Sequence, residues 1–477
     1  MLHKKSEKGQ ALVLIALAAV GLFGFTALSI DGGMVFSDRR HAQNAADTAV
    51  LAAALARVRA PSNPDAAAVL AGEARAVSNG YANDTDSTVE VHICDEPGIT
   101  CEGLPAGAYT INTVPEVESE YIQVKITSIV RTTFARIVGR TTVTNIVTAV
   151  AHAKVGGPSP LFDGAALVAL APGGSPTIRN QGNIDLDIIN SGIFDNSTDG
   201  CAFTIGGNST VNVDTGYTIA TNGTANPPCL NGSPQGNVTD PNLHQSGTQI
   251  PYPPDLAIPI PSITCSGSGS VDHASGTVFP GNFGSENFNN GSYTFMPGSY
   301  CFNGDLKIGG NAEVTANYVD ILFTSGKLSV TSTLNCDYIL VHISGGSGIT
   351  VNGNANVVCT NATFVASTGS ISLEGTGANT FTAPTSGPHQ EYANLLIYMP
   401  YGNTSPLKIT GNSGTEMTGS IIGVSAPVTL HGNSDFELHS SITGYTIEIT
   451  GGAQTTINYI PEEQLTVLDP AALGLTK

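Results

Sequence analysis

The chain has 477 residues, of which only 12% are charged, yet its formal net charge is −20. The excess is uneven: residues 1–155 hold 13 Lys/Arg against 15 Asp/Glu, and residues 156–477 hold 5 against 23. A surface like that of the second part repels nucleic acid and anionic lipid, so a nucleic-acid partner is excluded. With 55 Gly, 27 Pro and no Trp, the composition favours short strands joined by tight turns.

Residues 1–10 form a basic tip with Lys4, Lys5 and Lys8. Ala11 to Ile30 comes next, a 20-residue apolar run without charge or proline, closed by Asp31. That length spans a bilayer as a helix whose backbone groups satisfy one another. The run is long for a secretory signal, and no clean Ala-x-Ala site follows it, so a retained single-pass anchor is expected. The positive-inside rule places the tip in the cytoplasm and the rest of the chain outside.

Residues 31–155 are expected to form a small α+β module. Alanines at 42, 45, 46, 49, 52, 53, 54 and 56 give strong helix propensity and a face that another helix can approach closely. A break is expected at Gly32-Gly33, an end at Pro61 and Pro64, and a second helix over 65–79. Strand-like runs occur at 88–93, 121–130 and 142–152.

Residues 156–460 repeat a phrase in which an apolar residue and a spacer precede Gly-Asn or Gly-Gly. Copies are Ile205–Asn208, Ile308–Asn311, Val351–Asn354, Ile409–Asn412, Leu430–Asn433 and Ile449–Gly452, with a weaker one at Arg179–Asn183. Asn412 to Asn433 is 21 residues and Asn433 to Gly452 is 19, near one rung of a β-solenoid. The fold expected is mainly β: a right-handed parallel β-helix, its hand taken from the usual crossover rule. A β-sandwich is the structural rival. Proline-rich text interrupts the rhythm at 226–290, as an excursion packed along the solenoid or a linker, and the rhythm resumes near Met296-Pro-Gly-Ser-Tyr300. Residues 461–477 read as a C-terminal tail or cap.

The eight cysteines all lie beyond the apolar run, which suggests disulfides in an exported chain. Pairing in sequence order gives Cys94–Cys101, Cys201–Cys229, Cys265–Cys301 and Cys336–Cys359. No motif for a nucleotide, a zinc site or another cofactor is present. The best constellation is His431, Asn433, Asp435, Glu437 and His439, alternate residues read as one strand face. If Asn412 stacks on Asn433, Glu416 lies beside Glu437, and Glu416, Asp435, Glu437 and His439 become candidates for a metal or glycan site. Stacked acids also admit glycoside hydrolase or polysaccharide lyase chemistry, although the few Lys and Arg of this region are scattered. Asp185 and Asp187 alternate on another strand and read as solvent-facing.

The text from Gly9-Gln10 through the apolar run to Asp31-Gly32, continued by Arg39-Arg-x-x-Gln-Asn-Ala-Ala-Asp47, resembles the Tad-like N-terminal domain of Flp pilus-assembly TadE/TadG-like proteins. Residues 132–153 resemble the end of that module. The resemblance implies anchoring in a bacterial or archaeal cell membrane and association with pilus or other envelope components. It makes Arg39, Arg40, Gln43, Asn44 and Asp47 candidates for docking a partner. Prepilins place a Glu five residues after the processed Gly, whereas Leu14 stands there, so processing at Gly9 is not expected. The protein is thus expected to be a membrane-anchored, surface-exposed structural or adhesive protein, with a glycan or cell-surface polymer as ligand. The alternative is a polysaccharide-active enzyme on a β-helix.

Overall fold

The computed structural model describes residues 8–60, 62–102, 104, 120–214, 219–221, 229–231, 249–375, 377, 379–412, 414–469 and 471–476. The chain forms two compact units. One combines the N-terminal part through Gly157 with the C-terminal end from Leu468, and the other contains Pro158–Val467.

In the first unit, helix α1 (Lys8–Arg59) is continuous for 52 residues. The break expected at Gly32-Gly33 does not occur. Each glycine costs about 1 kcal/mol of helix propensity, but Asp31 and Asp38 tie the helix on both sides of the pair to the sheet. Residues 12–30 are exposed apart from half-buried Ala27, and this is a helix long and apolar enough to cross a membrane. Helix α2 (Pro64–Ser78) packs its small residues on α1: a Cβ added at Gly72 would lie 3.3 Å from the Ala53 methyl. Strands β1 (Ser87–Ile93), β2 (Tyr121–Arg131) and β3 (Thr142–Lys154) form an antiparallel sheet. Ala42, Ala46, Ala49 and Ala53 of α1 bury against Val124, Ile126 and Ala151 of that sheet. The C-terminal segment, expected as a tail or cap, contributes a fourth strand: Ala472–Leu475 pairs antiparallel with Ala151–Lys154.

The second unit is a parallel β-solenoid of about 12 turns. Its described rungs pair in parallel, apart from the hairpin of Ser270–Asp272 with Thr277–Phe279, so the sandwich alternative does not hold. Inward Val, Ile, Leu and Phe side chains from every turn fill one continuous core. The solenoid resumes at Thr277, before the expected Met296 phrase, since Thr277–Val278 already pairs with Thr294–Phe295.

The stacking order differs from the chain order. Residues 178–182 stack on 447–451, and 203–207 stack on 178–182. The first rungs in sequence therefore sit on the last ones. From 231 the chain must return to the far end of the stack before it winds back. Residues 249–265 make that return as an extended strap along one face. Ile250 exchanges hydrogen bonds with Asn196, donating at 2.7 Å and accepting at 3.0 Å. Tyr252 hydroxyl meets Ser425 Oγ at 2.9 Å, and Tyr392 hydroxyl donates to the Pro259 carbonyl at 3.2 Å. Cys265 is bonded to Cys301 at the other end. From the rung of Asn196 to that of Cys301 is eight rung steps. At ~4.8 Å per step this is about 38 Å, within reach of 15 residues of extended chain at ~3.1 Å each. Of the 226–290 excursion, residues 226–228 and 232–248 lie outside the described residues.

One corner carries a ladder of aligned glycines, Gly411, Gly432, Gly451, Gly182 and Gly207. Gly451, Gly182 and Gly207 have φ of +135°, +130° and +72°. A Cβ on Gly451 would lie 2.2 Å from the Gly432 carbonyl oxygen, and one on Gly182 2.6 Å from that of Gly451. The ladder runs without interruption across the junction between the sequence-distant rungs. Gly451→Ala should therefore destabilise the solenoid by about 2–5 kcal/mol. Gly452→Ala, whose methyl would meet no atom within 4 Å, should not. Equal denaturation midpoints for the two variants would refute this packing.

Candidate functional site

The solenoid turns divide into three faces: the strap face, a face holding residues 436–439, and a third holding 427–432. The middle one carries a depression of about 550 Å³ lined by Thr415, Glu416, Thr418, Asp435, Glu437 and His439, among others. Phe436 and Leu438 point into the core, which turns Glu437 and His439 outward. The register pairs Glu416 with Glu437 on the next rung, and Glu437 with Thr456 on the one after.

The run expected as one strand face is divided. His431 lies on the third face, in strand Ser420–Gly432, where it lines a smaller depression with Glu374 and Lys408. A corner comes at Asn433, and the next strand begins only at Phe436. Strict alternation does not survive a corner. His431 Nδ1 and Nε2 meet Thr450 Oγ1 and Asn433 Oδ1 at 3.0 and 3.1 Å.

Glu437 accepts a hydrogen bond from Asn458 Nδ2 at 2.9 Å and lies 3.0 Å from His439 Nε2. The Asn458 bond, opposed by partial burial and aided by His439, holds its pKa below the usual glutamate range. His439 Nδ1 lies 3.6 Å from Glu463. Asp435 accepts the Gln454 backbone N–H at 3.1 Å, and the Gln454 side chain donates to Asp187. Asp187 also accepts Asn212 Nδ2 at 2.7 Å, and Thr210 hydroxyl donates to Asp185. Most of these acids are thus joined to amides and hydroxyls from rung to rung. Among the described residues no group of three or more His, Cys, Asp or Glu is arranged to hold a metal. Arg179 and Lys408 lie on the third face, Arg179 3.9 Å from Glu448, so neither reaches the depression beside Glu416 and Glu437.

In the first unit, Gln43 Nε2 donates to Asp47 Oδ1 at 2.8 Å and to the Thr148 carbonyl at 3.1 Å, so half-buried Gln43 binds its own sheet and half-buried Asp47 binds Gln43. Arg39, Arg40 and Asn44 are exposed. The polar partners of α1 that sequence reading missed are Asp31 and Asp38. Asp31 is buried and accepts the N–H groups of Thr133, Phe134 and Ala135 at 2.9, 2.9 and 2.5 Å. Burial pushes its pKa up, but the three donors outweigh that and hold it below the usual carboxylate range. Asp38 accepts Ser128 hydroxyl at 2.5 Å and Asn145 Nδ2 at 2.7 Å. The only signal for either was a lone acid on an otherwise apolar or alanine-rich helix.

The disulfides Cys94–Cys101, Cys265–Cys301 and Cys336–Cys359 are present, the last between directly stacked residues. Cys201 is also disulfide-bonded, and the Cys229 side chain lies outside the described residues.

Residues 9–57 match the family model of Flp pilus-assembly TadE/G-like proteins. The matched segment covers α1 from the start of the apolar run almost to its end, so this part is similar to a Tad-like domain, which supports a Flp/Tad pilus-associated role. No curated protein and no solved structure matches the chain.

Asp195 is a buried acid that sequence reading also missed. It is fully buried, with the Thr177 hydroxyl 2.7 Å from both of its oxygens and the Ser197 N–H at 3.0 Å. Burial raises its pKa to about 6, despite these hydrogen bonds. The unfolded chain ionises this group near the ordinary 3.8. Its contribution to stability is therefore fully retained below that value and lost as pH rises towards and past 6, by about 3 kcal/mol. Asp195→Asn should remove this part of the pH dependence in urea unfolding between pH 4 and pH 8. An unchanged profile would rule the assignment out.

Proposed function

We propose that this is a membrane-anchored, surface-displayed structural or adhesive protein of a Flp/Tad-type pilus system. The N-terminal tip lies in the cytoplasm and the solenoid lies outside the membrane. The observation that carries this reading is the coincidence of the Tad match at 9–57 with an exposed apolar stretch long enough to span a bilayer. The disulfides support an oxidising compartment for the chain beyond the span. The solenoid offers outward rows of Thr, Ser and Asn, such as Ser329, Thr350 and Ser372, for a glycan, another cell-surface polymer or a sibling solenoid. Arg39, Arg40 and Asn44 are the available docking residues on α1, since Gln43 and Asp47 are engaged within the module.

Alkaline carbonate should leave the protein in the membrane pellet, and protease added to intact cells (or to spheroplasts, where an outer membrane shields it) should digest the solenoid. Co-purification with pilus filaments should fall at least about tenfold in Arg39→Glu/Arg40→Glu, the scale of a 1.4 kcal/mol loss. Recovery in the soluble cytosol would overturn the reading.

A polysaccharide-active enzyme is the second reading, favoured by one observation, the stacked Glu416 and Glu437 in the depression of about 550 Å³. It is the weaker one, because the basic residues do not converge there. Glu437→Ala/His439→Ala should leave surface adhesion unchanged. Polysaccharide cleavage by the wild type that this variant loses would transfer the assignment to the enzyme.

A further inference from the structure

Asp31 does more than cap a turn. Its carboxylate grips the backbone of residues 133–135, so the 132–141 loop is fixed to α1 at the level where the apolar run 11–30 ends. That loop contains a short 3-10 turn, Ala135–Val138. It leaves Ile137 86% exposed and Phe134 37% exposed. On α1 itself, Phe36 is 69% exposed and Met34 38%. Large apolar side chains this open are unfavourable in water, at roughly 25 cal/mol for each Å².

Basic residues border both patches. Arg136 and Arg140 flank Ile137 and are exposed, and Arg39 and Arg40 lie just past Phe36 on α1. Along the helix, Phe36 lies about 7.5 Å beyond Asp31 and Arg40 about 13 Å beyond it. The headgroup zone of one leaflet is about 5–7 Å deep. On α1 the change from apolar Phe36 to basic Arg40 takes about 6 Å, the depth of one headgroup zone, and in the loop Ile137 sits between Arg136 and Arg140. Arginine stems can lie along apolar surface while the guanidinium reaches phosphate.

We infer that the 132–141 loop is a second membrane contact, inserting Phe134 and Ile137 at the acyl–headgroup boundary of the bilayer that α1 crosses, with Arg136 and Arg140 on lipid phosphates. The inference rests on α1 being a membrane anchor. Together the loop and helix would fix the tilt and rotation of the module on the membrane, which one helix alone leaves free.

The chain contains no tryptophan, so a single substitution supplies a unique reporter. Leu22→Trp, Ile137→Trp and Leu70→Trp would each be made in the full chain and reconstituted in phosphatidylethanolamine/phosphatidylglycerol vesicles with lipids brominated at shallow and at deep positions of the acyl chain. Leu70 is 68% exposed on α2, which packs beside Ala53, well beyond the span. Leu22→Trp and Ile137→Trp should show blue-shifted emission and quenching, and Leu70→Trp neither. Adding Arg136→Glu/Arg140→Glu should reduce the Ile137→Trp quenching by about half or more. Quenching of Leu22→Trp with water-like, unquenched Ile137→Trp would overturn the inference and leave the anchor standing. An unquenched Leu22→Trp would remove the anchor and this contact together.

Discussion

A parallel rung presents N–H and C=O groups on both of its edges, and only a rung of matching register satisfies them. That requirement organises the second unit. The edge of 447–451 is not a terminus of the stack, because 178–182 pairs with it residue by residue. The solenoid is knitted from two runs that meet inside it, and the strap is a consequence of that meeting. A chain that finishes its first run at one end must travel the length of the stack to begin the second. It does so over a face whose outward residues, among them Val168, Phe194, Leu340, Val365 and Ile422, are apolar and would otherwise face water. Leu256 and Ile258 cover them, so the strap is part of the core rather than a connection laid over it.

The repeat was legible in the sequence, and its order was not. The Gly-containing phrases all fall at one corner, including the weak copy at Arg179–Asn183, and the pairing of Glu416 with Glu437 agrees with their spacing. Stacking order is hidden because the corner chemistry is nearly the same in every rung: Gly182, Gly207, Gly432 and Gly451 are interchangeable as text. A signal for the strap did exist. Leu395–Met399 is buried and apolar at all five positions, and Ile339–Ile343 is buried throughout with His342 as its one polar member. Unbroken apolar runs mark strands covered on both sides, where an exposed solenoid face would alternate. The placement of His431 failed for a simpler reason: period-2 reasoning was carried across a corner that resets which side chains point out.

The first unit shows the same division between what spacing reveals and what partners decide. Alanine spacing identified the buried face of α1, and the three antiparallel strands were readable from β-branched residues. The continuity of the helix through Gly32-Gly33 was not, because local propensity disfavours it. Asp31 and Asp38 bind the helix to residues distant in sequence, Thr133 to Ala135 on one side of the pair and Ser128 and Asn145 on the other. Two charged clamps from one rigid element outweigh a propensity cost of about 1 kcal/mol for each glycine. The late strand Ala472–Leu475 is equally invisible locally, since Ala-Leu-Gly-Leu has no strong strand preference and acquires one by pairing with β3.

Charge gives the two units different roles in the proposed arrangement. The solenoid carries nearly all of the net negative charge, and an acidic surface is repelled by anionic lipid over about a Debye length. Some of its carboxylates are also used internally, with Asp187, Asp435 and Glu437 each accepting from an amide of another rung. These acids join rungs as well as charging the surface. The N-terminal module is nearly neutral, and four of its eight arginines, Arg39, Arg40, Arg136 and Arg140, lie on the two elements that meet at the end of the apolar run. An acidic solenoid that anionic lipid repels, joined to a nearly neutral module, suits the proposed display.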